Sequence, residues 1–126
     1  MKYSVPLVLL CLLLIGCGRR DARIQHAVTG TWVVHFGGNV RSTNIIRPDG
    51  GFSATVTGFT NGSSLRIEGT ILAKGGDLIE TITRDSDPNE KVPMVVRGHI
   101  ISLDRHQMVT TWDASRATTT VAQRVN

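Results

Sequence analysis

The sequence predicts an all-β fold, a small antiparallel up-and-down β-barrel of about eight strands. Three observations carry this. From Gly30 onward valine, isoleucine and threonine dominate, and several runs alternate apolar with polar residues, which is the period of a strand with one buried face. Glycine recurs with Asn, Asp and Pro at the ends of these runs, where turn chemistry needs such residues. No stretch of that region carries a helical period. The strands follow one another through hairpin-length loops, and a meander of this kind closes because closure removes exposed sheet edges.

The elements read in order. Thr31 to Phe36 is the first strand, ended by Gly37-Gly38-Asn39. Val40 to Arg47 is the second. It ends at Pro48-Asp49-Gly50-Gly51, a turn by mechanism, since Pro fixes φ and Gly accepts positive φ. Phe52 to Gly58 alternates, with Phe52, Ala54 and Val56 on one face and Ser53, Thr55 and Thr57 on the other. Asn61-Gly62-Ser63 turns the chain. Leu65 to Ile71 alternates again, with Leu65, Ile67, Gly69 and Ile71 inward. Lys74-Gly75-Gly76-Asp77 leads into the strand Leu78 to Arg84, and Asp85 to Pro93 is the longest loop. Met94 to Asp104 is a long strand with a bulge expected at Gly98. Arg105-His106 turns into Gln107 to Trp112, and Asp113 to Ala117 leads to the last strand, Thr118 to Val125. Aromatic residues make up only 5% of the chain, so Trp32, Phe36, Phe52, Phe59 and Trp112 are expected to carry much of the packing.

Ahead of the barrel lies a different composition. Lys2 is followed by an almost purely apolar run from Val5 to Ile15 and a small-residue exit at Gly16-Cys17. A charged start, roughly 7–15 apolar residues and a small-residue exit form a secretory signal. The run is shorter than the ~20 residues a membrane-spanning helix needs. Leu14-Ile15-Gly16-Cys17 resembles the lipobox of bacterial lipoproteins. That resemblance implies diacylglyceryl transfer to the Cys17 thiol, cleavage after Gly16 and acylation of the new amine. It places the protein in the cell envelope, anchored to a membrane through lipid on Cys17. Gly18 rather than Asp follows the cysteine, which by the enterobacterial sorting rule leans to the periplasmic face of an outer membrane. The alternative is an ordinary secretory peptide with an incidental cysteine. The organisation is therefore a signal peptide over 1–16, a lipidated tether over 17–29 with room for a short helical turn near Ala22 to Ala27, and a barrel domain over 30–126.

Cleavage would remove Lys2, one of 14 basic residues against 10 acidic ones, leaving 13 and a net charge of +3. It would also remove Cys11 and leave Cys17 as the last cysteine, so neither a disulfide within the domain nor a cysteine-based zinc site is open to it. The arginines from Arg41 to Arg124 stand singly, like those of solvated strand faces and unlike the clustered, aromatic-interleaved pattern of a nucleic-acid binder. Arg19, Arg20 and Arg23 cluster in the tether, either as a polar spacer or as contacts to anionic head groups.

Gly30-Thr31-Trp32 opens the first strand and Arg124 closes the last. This pattern resembles the lipocalin and calycin families, where a Gly-X-Trp tryptophan plugs one barrel end and a late arginine packs across it. The turn Arg47-Pro48-Asp49-Gly50-Gly51-Phe52 is similar to that of small bacterial lipocalin-like lipoprotein domains. The chain is shorter than true lipocalins and lacks their Thr-Asp-Tyr motif. Streptavidin-like barrels share Thr29-Gly30-Thr31-Trp32 but line their biotin site with several tryptophans, and here Trp32 and Trp112 are the two present.

No motif for nucleophilic, phosphate-binding or zinc-protease chemistry is present, so the domain is read as non-catalytic, without cofactor or metal. His26 lies in the tether, His106 in a turn, and His35 and His99 in separate strands. Asp85-X-Asp87-X-Asn89-Glu90 has oxygen-rich spacing, but it lacks the glycine of a calcium loop and contains Pro88. Glu80 is the anomaly. With Leu78 and Ile82 inward, period 2 puts Glu80 inward between them. A hairpin across the 85–93 loop would set it near Arg97 and His99, as a structural ion pair or as a ligand handle; the inverted face, with Ile79 inward, is the other option. Glu80, Arg97 and His99 are therefore the candidate ligand-binding residues. Three functions are weighed: a binding module for a small ligand or an envelope protein, an inhibitor or envelope-protection lipoprotein that would use the 85–93 loop on an envelope enzyme, and an enzyme. Whether the barrel holds a cavity or a filled core separates them.

Overall fold

A computed structural model of the chain describes residues 18–113 and 118–126. Residues 18–28 form a helix, α1. Eight strands follow: β1 (Gly30–Gly37), β2 (Val40–Ile46), β3 (Gly51–Thr57), β4 (Leu65–Lys74), β5 (Asp77–Asp85), β6 (Met94–Leu103), β7 (Gln107–Asp113) and β8 (Thr118–Arg124). Each strand pairs antiparallel with the next, and β8 returns to β1 through Trp32↔Arg124, Val33↔Gln123 and Val34↔Ala122, closing the barrel. These are the eight strands of the sequence reading. Their ends shift by about a residue, except that β4 runs on to Lys74. The signal peptide, Cys11, Cys17 and residues 114–117 lie outside the described residues.

Alternation sets the two faces. Trp32 and Val34 on β1, Ser42 and Ile46 on β2, Phe52 and Ala54 on β3, Ile71 on β4, Leu78 and Ile82 on β5, Met108 and Thr110 on β7 and Ala122 on β8 are all buried. Outward positions between them carry Thr43, Thr55, Arg66, Glu68, Arg84 and Gln123. Three register shifts add local twist. They fall at Phe36 on β1, Thr83 on β5 and Ile101 on β6. The bulge expected at Gly98 is thus displaced to Ile101. Gly98 stays in register with Leu78 and Trp112. Its lack of a side chain serves packing, since a Cβ there would stand 2.7 Å from Cζ3 of Trp112.

Trp32 and Phe52 are buried and Trp112 packs against the core, as expected of the aromatics. Phe36 departs from the expectation: it is 58% exposed, at the irregular position between the His35–Arg41 and Gly37–Val40 pairs.

The helical turn expected near Ala22 to Ala27 is the middle of α1, which packs on the barrel base. Asp21, Ile24, Gln25 and Val28 recur at helical spacing and face the barrel. Val28 is fully buried and Ile24 packs on the core cluster. The Gln25 side chain completes the end of β4, donating through Nε2 to the Ile71 carbonyl at 3.1 Å and accepting at Oε1 from the Ala73 amide at 2.8 Å. The Asp21 carboxylate accepts from the amides of Gly75 and Gly76, each at 2.9 Å. Bonds from Gly76 and then Gly75 hold its carboxyl below the usual carboxylate range. Among the described residues no helix is long and apolar enough to cross a membrane.

Candidate functional site

The last carbonyls of α1 have no intrahelical partner, as at any helix C-terminus. Here the barrel supplies the donors. Thr29 Oγ1 donates to Gln25 O at 2.8 Å, Trp32 Nε1 to Val28 O at 2.8 Å, and the Arg124 guanidinium to Ala27 O at 2.6 Å and Thr29 O at 2.8 Å. Arg124 Nε also donates to Arg105 O at 2.8 Å. The guanidinium lies 4.3 Å from the Trp32 ring centroid, a cation–π distance. Its positive charge also meets the negative end of the α1 dipole. Trp32 is 0% exposed. Gly30 has φ +136°, and a Cβ at that position would collide with Arg124 Nη1. Gly30, Trp32 and Arg124 thus form one assembly that seals the barrel base.

Above this seal the barrel is hollow. A cavity of about 200 Å³ lies between Trp32 at its floor and Phe36 toward the opposite end. Its wall is mostly apolar, including Val34, Ile46, Phe52, Ile67, Met108 and Trp112. A few polar groups break that wall. Ser42 Oγ donates to Asn44 Oδ1 at 2.6 Å, and Trp112 Nε1 donates to Thr120 Oγ1 at 3.0 Å. The Thr110 hydroxyl is buried, at 1% residue exposure, and finds no hydrogen-bond partner. Leaving such a group unmet costs about 1–3 kcal/mol. The cavity is small beside the ~300–1,000 Å³ of drug-sized sites.

Glu80 is part of this wall. It shares the inward face with buried Leu78 and Ile82, so the inverted arrangement does not occur. Its cross-strand neighbours are Ile71 on β4 and Val96 on β6. Among the described residues no hydrogen bond or ion pair reaches its carboxyl. Burial alone pushes its pKa up from 4.5 to about 7.

The expected partnership of Glu80 with Arg97 and His99 is not made. Arg97 pairs with Ile79 and His99 with Thr111, which puts both on the outer face. Cross-strand neighbours share a face, so a register offset of one residue reverses which side a group occupies. Outside the barrel, Arg97 Nη1 meets Asp77 Oδ2 at 3.2 Å, His99 Nδ1 lies 3.1 Å from Asp77 Oδ1, and His99 Nε2 lies 3.0 Å from Asp113 Oδ2. Hydrogen bonds to Asp113 and then Asp77 raise the His99 pKa above its ordinary value. These are exposed contacts, a class worth ~0–1 kcal/mol each.

The acidic loop after β5 is occupied by its own backbone, with Asp85 accepting from the Asp87 amide and Asp87 from the Asn89 amide. No group of three or more candidate metal ligands occurs among the described residues. A larger depression, about 900 Å³, runs outside the base between α1, Pro48 and Leu103 to Arg105. It is an open shelf, and Gln25 and Arg124 on it are already bound to backbone groups. The interior cavity is the better candidate because the barrel wall encloses it and it carries the Glu80 carboxyl. Sequence reasoning named Glu80 there but missed Thr110, Thr120, Ser42 and Asn44. Period 2 along β7 puts Thr110 between inward Met108 and Trp112, a signal that was available.

Comparison with protein-family models, with curated proteins and with solved structures finds no significant match to this chain.

Proposed function

We propose that this protein is a lipid-anchored lipoprotein of the bacterial cell envelope whose lipocalin-like barrel is a non-catalytic binding module for a small ligand. The observation that carries the binding reading is the interior cavity with the Glu80 carboxyl on a mostly apolar wall. A wall of this composition suits a small, mainly apolar molecule oriented by a few polar contacts. The anchoring reading rests on the signal-like N-terminus and the Leu14-Ile15-Gly16-Cys17 junction. Several acyl chains at Cys17 would hold the domain firmly, since each buried CH₂ contributes ~0.8 kcal/mol. The lipocalin-like reading is supported by Gly30, Trp32 and Arg124 acting together at the barrel base.

Two experiments test this. Cells expressing the protein are labelled with radioactive palmitate and extracted by detergent phase partitioning. The wild type is expected in the detergent phase, labelled, and Cys17→Ala in the aqueous phase, unlabelled. An unlabelled wild type rejects the anchor. For the cavity, the purified full chain is titrated with toluene while its fluorescence is followed. Both tryptophans line the cavity, so a saturable change is expected, and its absence rejects the binding module.

A further inference from the structure

The charge pattern of the cavity narrows the ligand class, granted the binding reading above. Among the described lining residues Glu80 is the one ionisable side chain. No described Lys, Arg or His lines the wall, so an anionic ligand such as a fatty acid would meet the Glu80 carboxylate with no described cation to offset it. The remaining polar partners are hydroxyls, an amide and an indole. Of these, the Asn44 carbonyl oxygen already accepts from Ser42, and Thr120 accepts from Trp112. Among the described residues no hydrogen bond or ion pair reaches the Glu80 carboxyl. An alkylammonium group carries three donors and no acceptor, so it can serve the carboxylate and neutralise it. Neutral alcohols can donate only one hydrogen bond and leave the charge unmet. A cavity of ~150 Å³ takes benzene, so one of about 200 Å³ takes a body of about eight heavy atoms.

We infer that the barrel interior binds a small organic amine, its apolar body against the Val34, Phe52 and Met108 wall and its ammonium group on Glu80. The carboxylate supplies the charge. The aromatic wall adds a favourable surface for a cation.

The test uses the purified full chain and four probes read by tryptophan fluorescence: benzylamine, benzyl alcohol, benzoate and toluene. Benzylamine is expected to bind most tightly and benzoate least. Glu80→Gln is expected to weaken benzylamine about tenfold or more, the scale of a charge-assisted hydrogen bond, and to leave toluene unchanged. Unchanged toluene binding shows that the variant is folded with its cavity intact. If toluene binds but Glu80→Gln leaves benzylamine unaffected, or if benzoate binds more tightly than benzylamine, the amine assignment is overturned while the binding module stands. If none of the four binds the wild type, the cavity reading itself falls.

Discussion

Trp32 occupies the base of the barrel with every part of its surface engaged. Its indole N–H meets the Val28 carbonyl, its ring face meets the Arg124 guanidinium, and none of it reaches solvent. Removing a buried Trp costs ~3–5 kcal/mol, so Trp32→Ala is expected to lower the unfolding midpoint of the full chain steeply in a circular-dichroism melt. An unchanged midpoint would mean that the seal contributes little. Glu80 works in the opposite direction. Its folded pKa of about 7 lies above the ordinary 4.5, so at low pH, where the carboxyl is neutral in both states, its burial costs little. As pH rises from 4.5 through about 7 the unfolded chain ionises more readily than the native one, and stability falls. Glu80→Gln is therefore expected to stabilise the protein on the order of 2–3 kcal/mol at pH 8 and hardly at all at pH 4, measured by urea unfolding. A destabilised variant at pH 8 would mean that the carboxylate has a favourable partner. The inward position of Glu80 was legible from Leu78 and Ile82 alone, because parity within a strand is a local property. Its lack of a partner among the described residues was not, because which residue of β6 stands opposite depends on register.

The strands show the same division between local and non-local information. Alternation and turn residues mark all eight, since each strand half-buries one face and each turn needs Gly, Pro, Asn or Asp. The bulge was misplaced because Gly98 offers two readings, a kink or a close approach, and only the position of Trp112 on the neighbouring strand decides between them. Helix α1 was the least legible element. Two of its four barrel-facing residues are polar, and they bind backbone amides and a carbonyl of β4 and of the Gly75-Gly76 turn, a pairing that leaves no apolar stripe in the sequence. Those contacts predict how the helix responds to change. Asp21→Ala combined with Gln25→Ala is expected to raise amide hydrogen exchange across residues 18–28 and at Ala73, Gly75 and Gly76, while the central strands keep their protection. Uniform loss of protection throughout the barrel would mean that α1 is part of the barrel's cooperative core. Uncoupled from those substitutions, acid alone should loosen the same contact. The lowered pKa of Asp21 marks stabilisation that is present above the ordinary carboxylate range and lost as pH falls through the lowered value.

At the scale of the whole molecule the chain is a closed barrel with one end sealed by α1, Trp32 and Arg124 and an interior that its own side chains do not fill. The seal closes the end on which α1 packs, so a ligand would enter from the side of Phe36. Closure and strand number were legible because eight short strands in sequence have few other ways to bury one face. The cavity was not, since about 200 Å³ depends on how side chains from seven strands interdigitate. The central claim is that this interior binds a small molecule, and methyl NMR of the full chain tests it most directly. On addition of toluene, the resonances of inward Val34, Ile67, Met108 and Ala122 are expected to shift together with one affinity, while outward Val95, Ile101 and Val121 stay in place. Shifts confined to Val95, Ile101 and Val121, or none at any methyl, would contradict the account.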